Sequence, residues 1–141
     1  MRLYLTRYAK IRDLSPLASC TALTKLDLSF CKQITDQVLS TLPVLPELTA
    51  LRLGSCTQIT DLSPLASCTA LTILDLSWCE LITNLSPLAS CNALTNLYLE
   101  NCDQVTDLSP LTNHHNLSSL IGPDCEKVDL TSLSNTQQPG P

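Results

Sequence analysis

Leu71-Thr-Ile-Leu74-Asp-Leu76-Ser-Trp-Cys79-Glu-Leu-Ile82-Thr-Asn84-Leu85-Ser-Pro87-Leu88-Ala-Ser-Cys91-Asn-Ala-Leu94 is one turn of a pattern that fills this chain. Its Leu74-x-Leu76 pair returns as Leu3/Leu5, Leu26/Leu28, Leu51/Leu53 and Leu97/Leu99, with a degraded version at Leu120, at intervals of 23 or 25 residues. A fixed period of this length signals stacked supersecondary units, each too small to bury its own apolar face, rather than one irregular core. The chain has room for roughly five and a half such units, above the three or so that mutual burial needs.

Within a unit, the first third alternates apolar and polar residues, the period of a short strand with one buried face. Asn84, matched by Asp13, Asp36, Asp61 and Asp107, precedes a turn that reads Leu-Ser-Pro-Leu in four units. Asp or Asn accepts the first free amides of a turn and proline suits its opening positions, so each of these stretches predicts a short helix or 3₁₀ turn. The second unit is two residues longer and lacks the early Ser-Pro, which predicts a fuller α-helix before Pro43. The expected architecture is an α/β solenoid, right-handed and curved, with a concave parallel sheet and short helices or 3₁₀ turns on the convex side. It spans residues 1–133, where Val128-Asp-Leu130-Thr-Ser-Leu133 reads as a partial C-terminal cap, and residues 134–141 read as a disordered tail.

The net charge of −5 and pI near 4.7 argue against nucleic acid or an anionic membrane surface as the main partner, since both select for clustered Lys and Arg. Neither kind of cluster is read here. No apolar run approaches the ~18–20 residues of a membrane span, and Met1-Arg2-Leu3-Tyr4-Leu5-Thr6-Arg7-Tyr8 lacks the apolar core of a signal peptide. The chain is therefore read as cytoplasmic. Leu3 and Leu5 already belong to a repeat with no polar cap before them, which leaves the first strand open to pairing with further repeats and reads as a fragment of a longer array. If the parent protein is secreted or on a surface, Asn84-Leu-Ser86 and Asn116-Leu-Ser118 are formal glycosylation acceptors.

Eight cysteines suggest a disulfide framework until they are placed on the repeat. Cys31, Cys56, Cys79, Cys102 and Cys125 each follow the second leucine of a strand by three residues, and Cys20, Cys68 and Cys91 share one convex-side position. Side chains in register on parallel strands point the same way, so these columns favour buried free thiols over bridges. Tyr8 takes the ladder place in the first unit. Without a Cys-x-x-Cys pair, zinc has little support, and His114-His115 reads as a solvated loop feature. The chain shows no glycine-rich phosphate loop, no Gly-x-Ser-x-Gly and no exposed activated thiol, so it reads as non-enzymatic and without a cofactor.

The polar strand positions are free of the core pattern and carry the candidate site. Between the two leucines run Tyr4, Asp27, Arg52, Asp75, Tyr98 and Ile121, which sets Arg52 between two aspartates across neighbouring strands. Just before the ladder cysteine run Arg7, Phe30, Ser55, Trp78, Asn101 and Asp124. Phe30 and Trp78 are the sole Phe and Trp of the chain, and neither replaces a core leucine. Trp, Tyr and Arg are the side chains enriched at interface hot spots. Tyr4, Phe30, Arg52, Trp78 and Tyr98 are therefore the candidate anchors for a protein or peptide partner. Asp27, Asp75 and Glu100 select a partner with basic residues.

The pattern Leu-x-x-Leu-x-Leu-x-x-Cys-x-x-Ile-Thr-Asp-Leu-Ser-Pro-Leu resembles the cysteine-containing leucine-rich repeat proteins. The wording of Ile59-Thr-Asp-Leu-Ser-Pro-Leu65 and Leu74-Asp-Leu-Ser-Trp-Cys79 is similar to leucine-rich repeat proteins of kinetoplastid parasites. Bacterial internalin-type repeats are also similar through their Ser-Pro-Leu turns but place Asn where this chain has Cys, and Val38-Leu-Ser-Thr-Leu42 resembles the longer repeats of F-box substrate receptors. The resemblance implies a curved solenoid that binds proteins, or a segment of a regulatory subunit such as a ubiquitin-ligase substrate receptor or adenylate cyclase regulator. No RING, F-box or cyclase segment is present in these residues.

Overall fold

The computed structural model describes residues 1–122. Six three-residue strands form one parallel sheet in chain order: β1 Arg2–Tyr4, β2 Lys25–Asp27, β3 Ala50–Arg52, β4 Ile73–Asp75, β5 Asn96–Tyr98 and β6 Ser119–Ile121. The register pairs Leu3, Leu26, Leu51, Leu74, Leu97 and Leu120 in one row. Both leucines of each Leu-x-Leu pair turn inward, and from Leu26 to Leu99 all of them are buried. Each buried leucine is worth about 1.5–3 kcal/mol, so the row is the main cohesive element of the stack.

The return path is 3₁₀ at Ser15–Ser19, Ser63–Ser67, Ser86–Ser90 and Ser109–Leu111, each opened by a proline. Asp13, Asp61, Asn84 and Asp107 accept the amide of the serine two residues on at 2.9 Å, the role expected of them. The longer second unit forms a single α-helical turn, α1 Asp36–Leu39. Its cap is Thr35, whose hydroxyl accepts the Val38 amide at 3.3 Å. Asp36 is thus not a cap. It is already helical, and its carboxylate accepts the Thr60 and Asp61 amides of the next unit at 2.7 and 3.0 Å and the Thr60 hydroxyl besides.

Among the described residues, Cys20, Cys31, Cys56, Cys68, Cys79 and Cys91 are free thiols. Cys31, Cys56, Cys79 and Cys102 donate through Sγ to the carbonyls of Leu5, Leu28, Leu53 and Leu76, one unit back, at 3.0–3.2 Å. On the convex side Cys91 reaches Leu65 in the same way at 3.4 Å, whereas Cys20 is half-buried. Two features depart from expectation. His114 is not a solvated loop residue: at 2% exposure it occupies the next place in the convex cysteine column. Tyr8, in the ladder place of the first unit, is 57% exposed.

A second ladder runs beside the first. Thr24, Thr49, Thr72, Thr95 and Ser118, each just ahead of its strand, donate their hydroxyls to the carbonyls of Met1, Thr24, Thr49, Thr72 and Thr95 at 2.9–3.2 Å. Cys125, Asp124, the partial cap at 128–133 and the tail at 134–141 lie outside the described residues.

Candidate functional site

The register sets Arg52 opposite Asp27 on one side and Asp75 on the other, with Tyr4 beyond Asp27 and Tyr98 beyond Asp75. This row lines two open hollows that share Arg52. One, of about 190 Å³, includes Tyr4, Lys25, Asp27, Ala50 and Ile73. The other, of about 280 Å³, includes Asp75, Ser77, Tyr98 and Glu100. Six of the eight candidate residues therefore meet on one face, and Phe30 and Trp78 line neither hollow.

The two aspartates are less free than their strand positions suggest. Each accepts an amide two residues on, Asp27 from Ser29 and Asp75 from Ser77, both at 2.9 Å. One carboxylate oxygen thus fixes the strand exit while the rest of the group faces the hollow. Arg52 is exposed. The Tyr98 hydroxyl accepts from Asn96 Nδ2 at 3.4 Å, and Asn96 Oδ1 in turn accepts from Thr95 at 2.8 Å, so the phenol is steered along the sheet.

Phe30 and Trp78 belong to a separate line whose backbone is unusual. Arg7, Phe30, Ser55, Trp78 and Asn101 all have positive φ, between 58° and 64°. This left-handed turn lets the chain leave the strand and return the next residue, the ladder cysteine, to the core. For a residue with a bulky side chain the conformation costs roughly 1–2 kcal/mol. Asn101 suits it; Phe30 and Trp78 do not. Both aromatic side chains are 48% exposed, and the Arg7 guanidinium lies 5.1 Å from the Phe30 ring centroid, a cation–π distance. Sequence spacing located the column and missed its backbone.

Burial holds the thiols in their neutral form. It pushes Cys56 up to about 12 and Cys68 up to about 11, and it raises Cys31, Cys79 and Cys91 as well. A buried neutral thiol is a poor nucleophile. Among the described residues no group of three or more His, Cys, Asp or Glu is placed to hold a metal ion, and no helix is long and apolar enough to cross a membrane.

A family model described as leucine-rich repeats in two copies matches residues 46–90, and a single leucine-rich repeat matches residues 19–41. The parallel ladder of three-residue strands joined by 3₁₀ returns carries the same pattern to both sides of these matches. The fold is a leucine-rich repeat solenoid. Among solved structures, an internalin, InlF, of Listeria monocytogenes is 33% identical with a TM-score of 0.69, covering 86% of this chain and 34% of that one. Internalin C2 of the same organism is 34% identical with a TM-score of 0.61, covering 78% of this chain and 46% of its own. The functional domain of InlJ, which includes a cysteine ladder, is 25% identical with a TM-score of 0.47 over 94% of this chain and 32% of that one. The leucine-rich repeat chain thus spans less than half the length of each of these structures. No curated protein matches it.

Proposed function

We propose that this leucine-rich repeat chain is a non-enzymatic protein-binding module that takes a protein or peptide along its strand face. Tyr4, Phe30, Arg52, Trp78 and Tyr98 are the anchors, and Asp27, Asp75 and Glu100 favour basic residues in the partner. The observation that carries the reading is the pair Phe30 and Trp78, half-exposed aromatics at left-handed positions where Asn or Gly would fold at lower cost. Side chains kept there against backbone preference are explained by contact with something outside the chain. Beside them, the Arg52 hollows supply the paired charges that fix a partner's register. The thiols' free state suits a reducing, cytoplasmic setting.

The test is affinity capture from a lysate of the source organism, with the parent chain and a folded Trp78→Ala/Arg52→Ala variant in parallel. A protein held by the parent and lost from the variant supports the reading. The single tryptophan then reports direct binding of the purified candidate, because its fluorescence shifts when a partner covers it. Identical retention by both baits, or an unchanged Trp78 signal, overturns the assignment of the anchors.

A further inference from the structure

Arg7 and Phe30 show how this solenoid covers a ring in its left-handed column. They occupy that column one unit apart, and the Arg7 guanidinium caps the Phe30 ring at 5.1 Å. Ser55 and Trp78 stand in the same relation two units on.

The backbone repeats with the spacing. φ is 63° and 62° at Arg7 and Phe30, and 60° and 64° at Ser55 and Trp78. The Arg7 amide donates to the carbonyl of Ser29, just before Phe30, at 3.0 Å, and the Ser55 amide to the carbonyl of Ser77, just before Trp78, at 2.7 Å. Equal backbones aim equal Cβ bonds. Ser55 therefore occupies the place from which Arg7 reaches over its neighbour's ring, with a side chain too short to do so.

Trp78 also lies in a part of the chain that has no cation to lend. From residue 53 to residue 122 there is no Lys or Arg, against six carboxylates. Two of them adjoin Trp78. Asp75 Oδ1 accepts the Ser77 amide at 2.9 Å, and its Oδ2 lies across Gly54, the residue before Ser55, 3.5 Å from where a Cβ would stand. Glu100, whose carbonyl accepts the Trp78 amide at 2.7 Å, is exposed on the next strand exit.

We propose that the Ser55 side of Trp78 is an arginine receptor, where a partner's guanidinium stacks on the indole as Arg7 stacks on Phe30. This rests on the strand-face reading above and names the residue that Trp78 selects. Indole is the strongest of the aromatic acceptors for a cation. Arginine is preferred to lysine because a planar guanidinium lies flat on a ring while its edge still donates to carboxylates such as Asp75.

The probe is a fluorescein-labelled peptide, acetyl-Gly-Arg-Ser-Gly-Arg-Gly-amide, followed by anisotropy against the full chain beside a lysine counterpart of equal charge. The parent binds the arginine peptide at least about threefold more tightly than the lysine peptide, a comparison that needs no variant. Trp78→Leu, which keeps apolar bulk without the indole, weakens the arginine peptide by about threefold or more. Ser55→Arg rebuilds the internal cap in a backbone conformation that Arg7 already adopts, and weakens the peptide likewise; upfield ring-current shifts of the new side chain's Cδ protons show the cap in place. Circular dichroism matching the parent verifies the fold of both variants. No binding of the arginine peptide, equal binding of the two peptides, or parent-like binding by either folded variant overturns the proposal. A partner lost from Trp78→Ala/Arg52→Ala but held equally after its arginines are replaced by lysine overturns the arginine receptor alone. Retention of the partner by both baits, with the peptide results as expected, overturns the strand-face reading alone.

Discussion

His114 Nε2 donates to the Leu88 carbonyl oxygen at 2.9 Å, repeating with an imidazole the bond that Cys91 makes with a thiol to Leu65 one unit earlier. The remaining ring nitrogen, Nδ1, is buried without a partner among the described residues. The site therefore keeps a hydrogen bond while stranding an acceptor, which costs about 1–3 kcal/mol. His114→Cys regularises the column, and its urea midpoint is expected to equal or exceed that of the parent. His114→Ala leaves the Leu88 carbonyl unpaired and opens a cavity, and is expected to lose about 2 kcal/mol.

The thiol columns set the alkaline limit of stability. Burial raises the folded-state values, Cys56 to about 12 and Cys68 to about 11, above the ordinary value of 9.0 that the unfolded chain retains. Their stabilisation is then complete below pH 9 and is lost as pH rises toward the folded values, because only the unfolded thiol ionises readily. Each such thiol is expected to lose about 1 kcal/mol over the first pH unit above its unfolded value. Urea titrations at pH 8 to 11 on the parent and on Cys56→Ala check this: the variant starts lower and declines less steeply. Under native conditions at neutral pH, peptide mapping after iodoacetamide is expected to find Cys20 modified well before the six buried described thiols.

The acid limit includes Asp36. Burial pushes its carboxyl up, but the Thr60 hydroxyl and the Asp61 and Thr60 amides outweigh that and hold it below the ordinary value. A depressed folded-state value means that the stabilisation is present above the unfolded pKa and lost as pH falls through the folded one. Parent stability is expected to drop below about pH 4. Asp36→Asn is less stable at pH 7 and flatter across the acid range, and thermal unfolding from pH 7 to pH 2.5 compares the two.

At Trp78 the usual order of small substitutions should invert. A left-handed φ of 64° favours glycine, so Trp78→Gly is expected to be more stable than Trp78→Ala by about 1 kcal/mol. Ser55→Asn, at φ 60° in the same column, is expected to raise the urea midpoint. An Ala variant as stable as the Gly variant would remove the backbone cost from the argument for contact.

What the sequence made legible follows from translation along the axis. Leu-x-Leu spacing placed all six strands and the Arg52–Asp27–Asp75 row in register, because a residue at a repeat position has its counterpart in every unit as a neighbour. The same logic placed the thiols. It should also have found His114, which follows Cys91 by one repeat length, but an adjacent histidine disguised it as a polar loop. The threonine ladder was visible as a column and unread, since Thr ahead of a strand also fits ordinary β propensity. The positive φ of Phe30 and Trp78 was not readable: five different residue types share that turn, so geometry there is imposed by the strand exit and the inward cysteine rather than by local preference. The Asp27 and Asp75 bonds to Ser29 and Ser77 were hidden because aspartate at a strand position suggests a solvent group before it suggests a turn.

The thiols of Cys31, Cys56, Cys79, Cys91 and Cys102, the hydroxyls of the threonine ladder and the His114 imidazole all reach back to a carbonyl of the unit before, and the Asp36 clamp likewise takes its donors from the later unit. The joints of this stack are consequently keyed one way, like bricks with pegs on one face and sockets on the other. A unit can be excised or duplicated between equivalent points, such as Leu74 and Leu97, and the new joint brings matching pegs and sockets together. Such an array can change its length by whole units while each junction keeps its chemistry, which makes reach along a partner a property that gene duplication can adjust without redesigning the core.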